Sequence, residues 1–160
     1  MKKFKNHTIS EYLTVLSKKE PVPGGGSVAA LTAASAVALL SMVAEYSKGR
    51  KNNTKAVETR ITKIALQSKE LRNQCLDYVD LDAQAYLQVV KVRKGTAQDK
   101  RKAERECQRV PKQVAKLAYK AVKLAPYLVE HGNPYLVSDV AVAVELLLAS
   151  HNSAVVLAES

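Results

Sequence analysis

Apolar residues recur at steps of three and four along most of this chain, the spacing that keeps one stripe of a helix turned toward a core. The clearest stripe is Val57, Ile61, Ile64, Leu71, Cys75, Val79, Tyr86 and Val89. It predicts one long helix from about Thr54 to Lys94, broken by Gly95-Thr96. A second stripe, Ala103, Cys107, Val110, Val114, Leu117, Ala121, Leu124 and Leu128, predicts a helix from about Ala97 to Glu130. Pro111 and Pro126 fall inside it and predict a kink or short break near each. His131-Gly132-Asn133-Pro134 ends it. Two further segments are apolar on nearly every side. One follows a glycine turn and ends near Gly49. The other starts around Val137 and runs almost to the end, with Glu145 alone interrupting Val140 to Ala149. Helices of that kind are covered from several directions, by other helices or by a second subunit. A short helix from Thr8 or Ser10 to about Lys18 completes the set. The pattern predicts an all-α single domain over residues 1–160, a bundle of about five helices that dimerises through apolar helix faces.

Two places break the pattern usefully. Continuing the long stripe from Val79 by three, or back from Tyr86 by four, lands on Asp82. A carboxylate on an apolar seam costs several kcal/mol unless it is paired or hydrogen-bonded. Such an Asp is either half of a structural polar pair or a functional acid. The second place is Pro21-Val22-Pro23-Gly24-Gly25-Gly26-Ser27, which opens the most apolar segment. The prolines hold the approach extended. The glycines let another group come close to the backbone, and Ser27 is placed to cap the following helix. A helix start built this way offers free N–H groups to an anion or polar ring. The plain alternative is an ordinary turn into a helix.

Composition narrows the reading. The 160 residues include one Phe and no Trp and carry a formal charge of +10. That charge favours an acidic partner, whether nucleic acid, membrane surface or polyanionic small molecule. Val28 to Ala44 is short for a membrane span and contains Thr32, Ser35 and Ser41, so it reads as a closely packed core helix. Cys75 and Cys107 have no paired spacing and read as reduced thiols of a cytoplasmic protein. The basic, polar start has no apolar stretch of a signal peptide behind it. His7, His131 and His151 form no metal pattern. No nucleophile elbow is present, and the glycine turn lacks the ending of a phosphate-binding loop. What remains is a polar set at helix ends: the glycine turn, Asp82, Gly132-Asn133, and Ser138-Asp139. Asp139 in a first helical turn also has a simple role, complementing the helix dipole.

Pro23-Gly24-Gly25-Gly26-Ser27-Val28-Ala29-Ala30, Asp82-Ala83-x-Ala85-Tyr86, Val110-Pro111, and Gly132-Asn133 with Ser138-Asp139 stand in this order. So arranged, they resemble the formimidoyltetrahydrofolate cyclodeaminase family, which includes bacterial methenyltetrahydrofolate cyclohydrolases. Met42-Val43 and Gly49-Arg50-Lys51 fit the same pattern, and the resemblance runs from about Thr8 to Val156. It implies an all-α fold that dimerises, with folate bound between helices near the subunit interface. It implies Asp82 and Asp139 as catalytic carboxylates. Gly24, Gly25, Gly26, Ser27, Arg50, Lys51, Asn133 and Ser138 become substrate-binding residues, with no metal and no cofactor beyond the tetrahydrofolate substrate. Two departures stand out. Leu157 occupies a position where the family usually has Asn, and the family's further C-terminal helix is absent from these 160 residues.

The implied reaction is closure of 5-formiminotetrahydrofolate to 5,10-methenyltetrahydrofolate with loss of ammonia, or hydrolysis of the methenyl compound. Either needs a group that takes and returns a proton. A carboxylate in an apolar setting is suited to that, and a second one stabilises the cation. Arg50, Lys51 and the basic stripe Lys112, Lys116, Lys120 and Lys123 are candidates to attract a polyglutamate tail. A solvated surface is the plain reading of each. Two rivals remain: a non-catalytic folate-binding dimer of the same fold, and a basic helical nucleic-acid-binding protein. No helix-turn-helix spacing, zinc motif or aromatic-rich strand supports the latter.

Overall fold

The chain is described by a computed structural model covering residues 3–159. A 3-10 turn at Phe4–Asn6 leads into six helices: α1 (Ile9–Leu16), α2 (Gly25–Ser47), α3 (Lys55–Lys91), α4 (Ala97–Val122), α5 (Ala125–His131) and α6 (Val137–Glu159). Among the described residues there is no strand. Side-chain caps set several starts. Thr8 and Glu11 form a reciprocal capping box at α1, and Thr54 and Thr96 accept first-turn N–H groups of α3 and α4. Each such cap stabilises its helix by about 1 kcal/mol.

The predicted fourth helix is two. α4 carries Pro111 inside it and ends at Val122, and Pro126 stands in the first turn of α5. Proline lacks the N–H that a continuing helix would use there but fits a helix start. The expected cap also differs. Gly24 is the N-cap of α2 and supplies no side chain. Ser27 lies inside the first turn, fully buried.

The α4 stripe is buried from Val110 to Leu128, and the α3 stripe is buried at Ile61, Ile64, Cys75 and Val79. Those faces close on α2, whose Val37, Leu40, Val43 and Ala44 are fully enclosed. The small side chains along α2 let its neighbours approach closely. α2 is long and apolar enough to cross a membrane, yet it runs through the core between α3 and α6. α6 is different. It lies antiparallel to α2, with Ser150 Oγ donating to the Ala29 carbonyl at 2.8 Å. Only 28% of its apolar stretch is buried, and Val142, Leu148 and Val156 are exposed. A second, smaller core joins Phe4, Tyr12 and Val22 to Val79, Val114 and Ala154. It ties α1 to the end of the bundle where α2 begins.

Candidate active site

Asp82 projects from α3 toward the first turn of α2. Its Oδ2 accepts the Ser27 backbone N–H at 2.9 Å. The approach is so close that a Cβ on Gly26 would overlap the carboxylate. This is where the triple glycine is needed. Gly24 has open space around the position of a Cβ, and a Cβ on Gly25 would meet the Leu157 methyls at an ordinary 3.8 Å. The anion that the helix start was expected to receive is therefore, in part, the protein's own carboxylate. Its position at the positive end of α2 favours the charged form.

Asp82 borders a cavity of about 340 Å³ together with Val22, Gly26, Tyr86, Cys107 and Pro111. It is half-buried rather than fully enclosed, and Tyr86, one turn on, is exposed. The seam thus opens into a cleft at Asp82. Burial raises the proton affinity of this carboxyl above its ordinary value, and the Ser27 N–H opposes the rise without cancelling it. Such a group exchanges a proton more readily near neutrality than a solvated Asp does. A second, wider groove of about 740 Å³ adjoins it between the start of α2 and the end of α6. Gly24, Gly25 and Leu157 line both spaces. The Leu157 side chain stands where the two meet as an apolar divider.

The remaining sequence-derived candidates lie elsewhere in the chain. α6 runs antiparallel to α2, so its first turn, with Ser138 and Asp139, sits at the far end of the bundle. Eighteen residues of helix from Asp139 to Leu157 span about 27 Å. Asn133 donates its backbone N–H to Ser47 Oγ at 2.8 Å, and its side chain accepts from Tyr135 N. Arg50 donates to the Gly132 carbonyl. Lys51 is exposed. Within one chain, therefore, the glycine turn and Asp82 form one group, and Arg50, Lys51, Asn133, Ser138 and Asp139 form another. The sequence reading put them in one pocket because linear order carries no helix direction. Ser27, expected to face substrate, is engaged inside the chain. Its hydroxyl is fully buried against the Tyr12 phenol at 2.9 Å, and its N–H is given to Asp82.

Sequence reasoning missed Tyr12 and the cavity role of Cys107. Cys107 was visible as a seam position but not as a cavity wall. Its thiol is pushed up by burial and then by the nearby Asp82 charge, while Cys75, enclosed in the core, is pushed up to about 12. Tyr12 carried no signal, because one aromatic in an eight-residue helix fits a core contact equally well.

Gly25 offers a direct probe of the cleft, since it has room for a side chain only at the expense of ligand space. Gly25→Val should weaken ligand binding about tenfold or more while leaving the helical circular dichroism intact. Unchanged binding would make the turn a connector.

Residues 8–159 match the protein family described as Formiminotransferase-cyclodeaminase. The chain is 30% identical over 159 residues to a methenyltetrahydrofolate cyclohydrolase of Methylorubrum extorquens, covering 93% of this chain and 76% of that protein. The crystal structure of a formiminotetrahydrofolate cyclodeaminase from Thermotoga maritima superposes with a TM-score of 0.93 at 27% identity. That match covers 97% of this chain and 78% of the other.

Proposed function

Because the chain belongs to the formiminotransferase-cyclodeaminase family, we propose that it is a folate one-carbon enzyme acting at the carbon that bridges N5 and N10 of tetrahydrofolate. The observation that carries this reading is Asp82, a carboxyl of raised proton affinity held by a helix N-terminus at the wall of a cleft.

In the cyclodeaminase direction the substrate carries a protonated amidine on N5. N10 attacks the amidine carbon, and the N10–C bond forms. Asp82 as carboxylate takes the N10 proton and returns it to the amidine nitrogen, which leaves as ammonia when its C–N bond breaks. The product is the 5,10-methenyl cation. The reaction needs a proton moved from one nitrogen to another across one carbon, which a single carboxyl can do in two steps. In the hydrolytic direction Asp82 removes a proton from water as it adds to the methenyl carbon. The same group then gives that proton to the departing nitrogen as its bond to the bridging carbon breaks, and the adduct's O–H proton passes to solvent as the formyl C=O forms. The apolar walls from Val22, Pro111 and Leu157 keep bulk water from levelling the carboxyl's proton affinity.

Purified protein tested with both folates decides the matter. The characteristic near-ultraviolet absorbance of methenyltetrahydrofolate should appear from the formimino compound or be lost from the methenyl compound faster than in buffer. Folate binding with neither change would favour the non-catalytic dimer. Salt-sensitive DNA binding without folate binding would favour the nucleic-acid reading.

The active unit in this reading is a homodimer. Val137, Val142, Leu148 and Val156 are exposed from the first turn of α6 to its last, a length of apolar surface that suits a second helix better than water. An antiparallel two-fold pairing along α6 would set each chain's Asp139 end beside the partner's Asp82 end. Asp139 would then face the amidinium from across the interface, with Arg50 and Lys51 near the acidic tail of the substrate. Sedimentation at micromolar concentration should give twice the chain mass; a monomer would remove this part of the reading.

A further inference from the structure

Tyr12 is a buried titratable side chain near Asp82 that the chemistry above does not use. It sits on α1, and its hydroxyl meets Ser27 Oγ at 2.9 Å in a fully enclosed setting. Ser27 in turn holds Asp82 through its backbone N–H, also at 2.9 Å. Two hydrogen bonds thus link α1 to the carboxyl across the first turn of α2. α1 is itself fixed from the other side. Asp80, two residues before Asp82, accepts the Phe4 backbone N–H at 2.7 Å and the Lys5 N–H at 3.4 Å, and Lys5 Nζ pairs with Asp77 at 2.6 Å. The segment before α1 is pinned to the same helix that carries Asp82.

This arrangement does more than fill space. Ser27 occupies the third position of a helix that begins with two glycines, the residues least able to fix a backbone by themselves. The Tyr12 hydroxyl anchors that turn from outside the helix. We propose that Tyr12 is a positioning residue for the reaction: through Ser27 it holds the N–H that orients Asp82 toward the cleft. The proposal rests on Asp82 as the proton-transfer group.

The titratable groups facing Asp82 are Tyr12 from α1, Cys107 from α4 and Tyr86 on α3 itself, while Asp80 is turned to the Phe4 and Lys5 N–H groups. The cleft lining from α2 and α6 adds none. Cys107 titrates above neutrality, raised by burial, and Tyr12 is raised above 10 by burial first. The acid limb of a pH–rate profile therefore reports Asp82. Loosening the Ser27 N–H removes the contact that lowers the proton affinity of Asp82. Its limb then moves to higher pH.

The test is a double-mutant cycle with Tyr12→Phe, Ser27→Ala and the pair, with Asp82→Asn measured alongside. Tyr12→Phe should lower kcat by roughly 10- to 100-fold, the scale of a misplaced catalytic group, with KM within about twofold. Its acid limb should move upward in pH. Ser27→Ala should do the same, and the pair should be no worse than the more severe single change. Wild-type kcat and pH profile per folded molecule in Tyr12→Phe would overturn the proposal. So would losses in the pair that multiply. Should Tyr12→Phe fail to fold, Ser27→Ala reads the same link from its other end, and an unshifted acid limb there is equally fatal. If Asp82→Asn retains full turnover, the functional reading fails instead; an inactive Asp82→Asn beside an unaffected Tyr12→Phe sinks the positioning role alone.

Discussion

Asp82→Asn should lower turnover by roughly 100- to 10,000-fold, the usual share of general acid–base catalysis, with little change in folate binding. The amide keeps the size of the side chain, and its carbonyl oxygen can still accept the Ser27 N–H that Asp82 Oδ2 receives at 2.9 Å. What it cannot do is carry a proton between two nitrogens. The same variant should fold at least as stably as the parent at neutral pH. Burial raises the carboxyl above its ordinary value of 3.8, so ionised Asp82 opposes folding. Below the ordinary value both folded and unfolded chains hold the proton, and the side chain carries no penalty. As pH rises through the raised folded value, stability is lost in the parent but not in the amide variant. The stability advantage of Asp82→Asn should therefore be absent near pH 3, grow on the way to neutrality, and then level off. Urea unfolding at several pH values, paired with turnover on the same protein, checks both halves. A variant that loses stability at neutral pH and keeps its specific activity would make Asp82 a structural residue.

Much of this fold was legible in the order of residues. The α4 seam is a strict three-and-four repeat buried from Val110 to Leu128, and the α3 seam is buried through its middle, at Ile61, Ile64, Cys75 and Val79. Helix starts at Thr8 and Thr54 carried their own capping side chains. Where the sequence misled, a tertiary fact decided. The kink or short break predicted near Pro126 is a short break, with α4 ending at Val122 and Pro126 in the first turn of α5, but the stripe itself runs on across it and so reads as one helix. The direction of α6 relative to α2 leaves no periodic trace, and that direction alone separates Asp139 from Asp82. Ser27 looked like a cap because it follows three glycines; the cap is three residues earlier, at Gly24, and the Ser27 N–H in the first turn goes to the carboxylate that α3 brings there. The seam arithmetic found Asp82, since a charge on an apolar stripe is a local contradiction. Tyr12 offered no contradiction, and so it stayed hidden until the fold placed it on Ser27.

Gly26→Ala should strike the candidate site directly. A Cβ there overlaps the Asp82 carboxylate, so either the carboxyl turns away or the first turn of α2 shifts. In the first case the Ser27 N–H loses its acceptor, and turnover should fall about as far as in Asp82→Asn. In the second the overpacked turn should cost roughly 1–3 kcal/mol of stability. Helix propensity works in the opposite direction, since alanine inside a helix is favoured over glycine by about 0.5–1 kcal/mol. The two effects separate in a background where the obstruction is gone. In Asp82→Ala the side chain is truncated at Cβ, and the added methyl at position 26 has the space that the carboxyl filled. There Gly26→Ala should be neutral or stabilising by the propensity difference. Gly24→Ala, at an N-cap of extended backbone with open space around it, should be nearly silent in either background. Thermal unfolding of these variants measures the coupling directly. A Gly26→Ala penalty that persists unchanged in the Asp82→Ala background would mean that glycine is needed there for the backbone alone, and that the closeness of Asp82 to the turn is incidental.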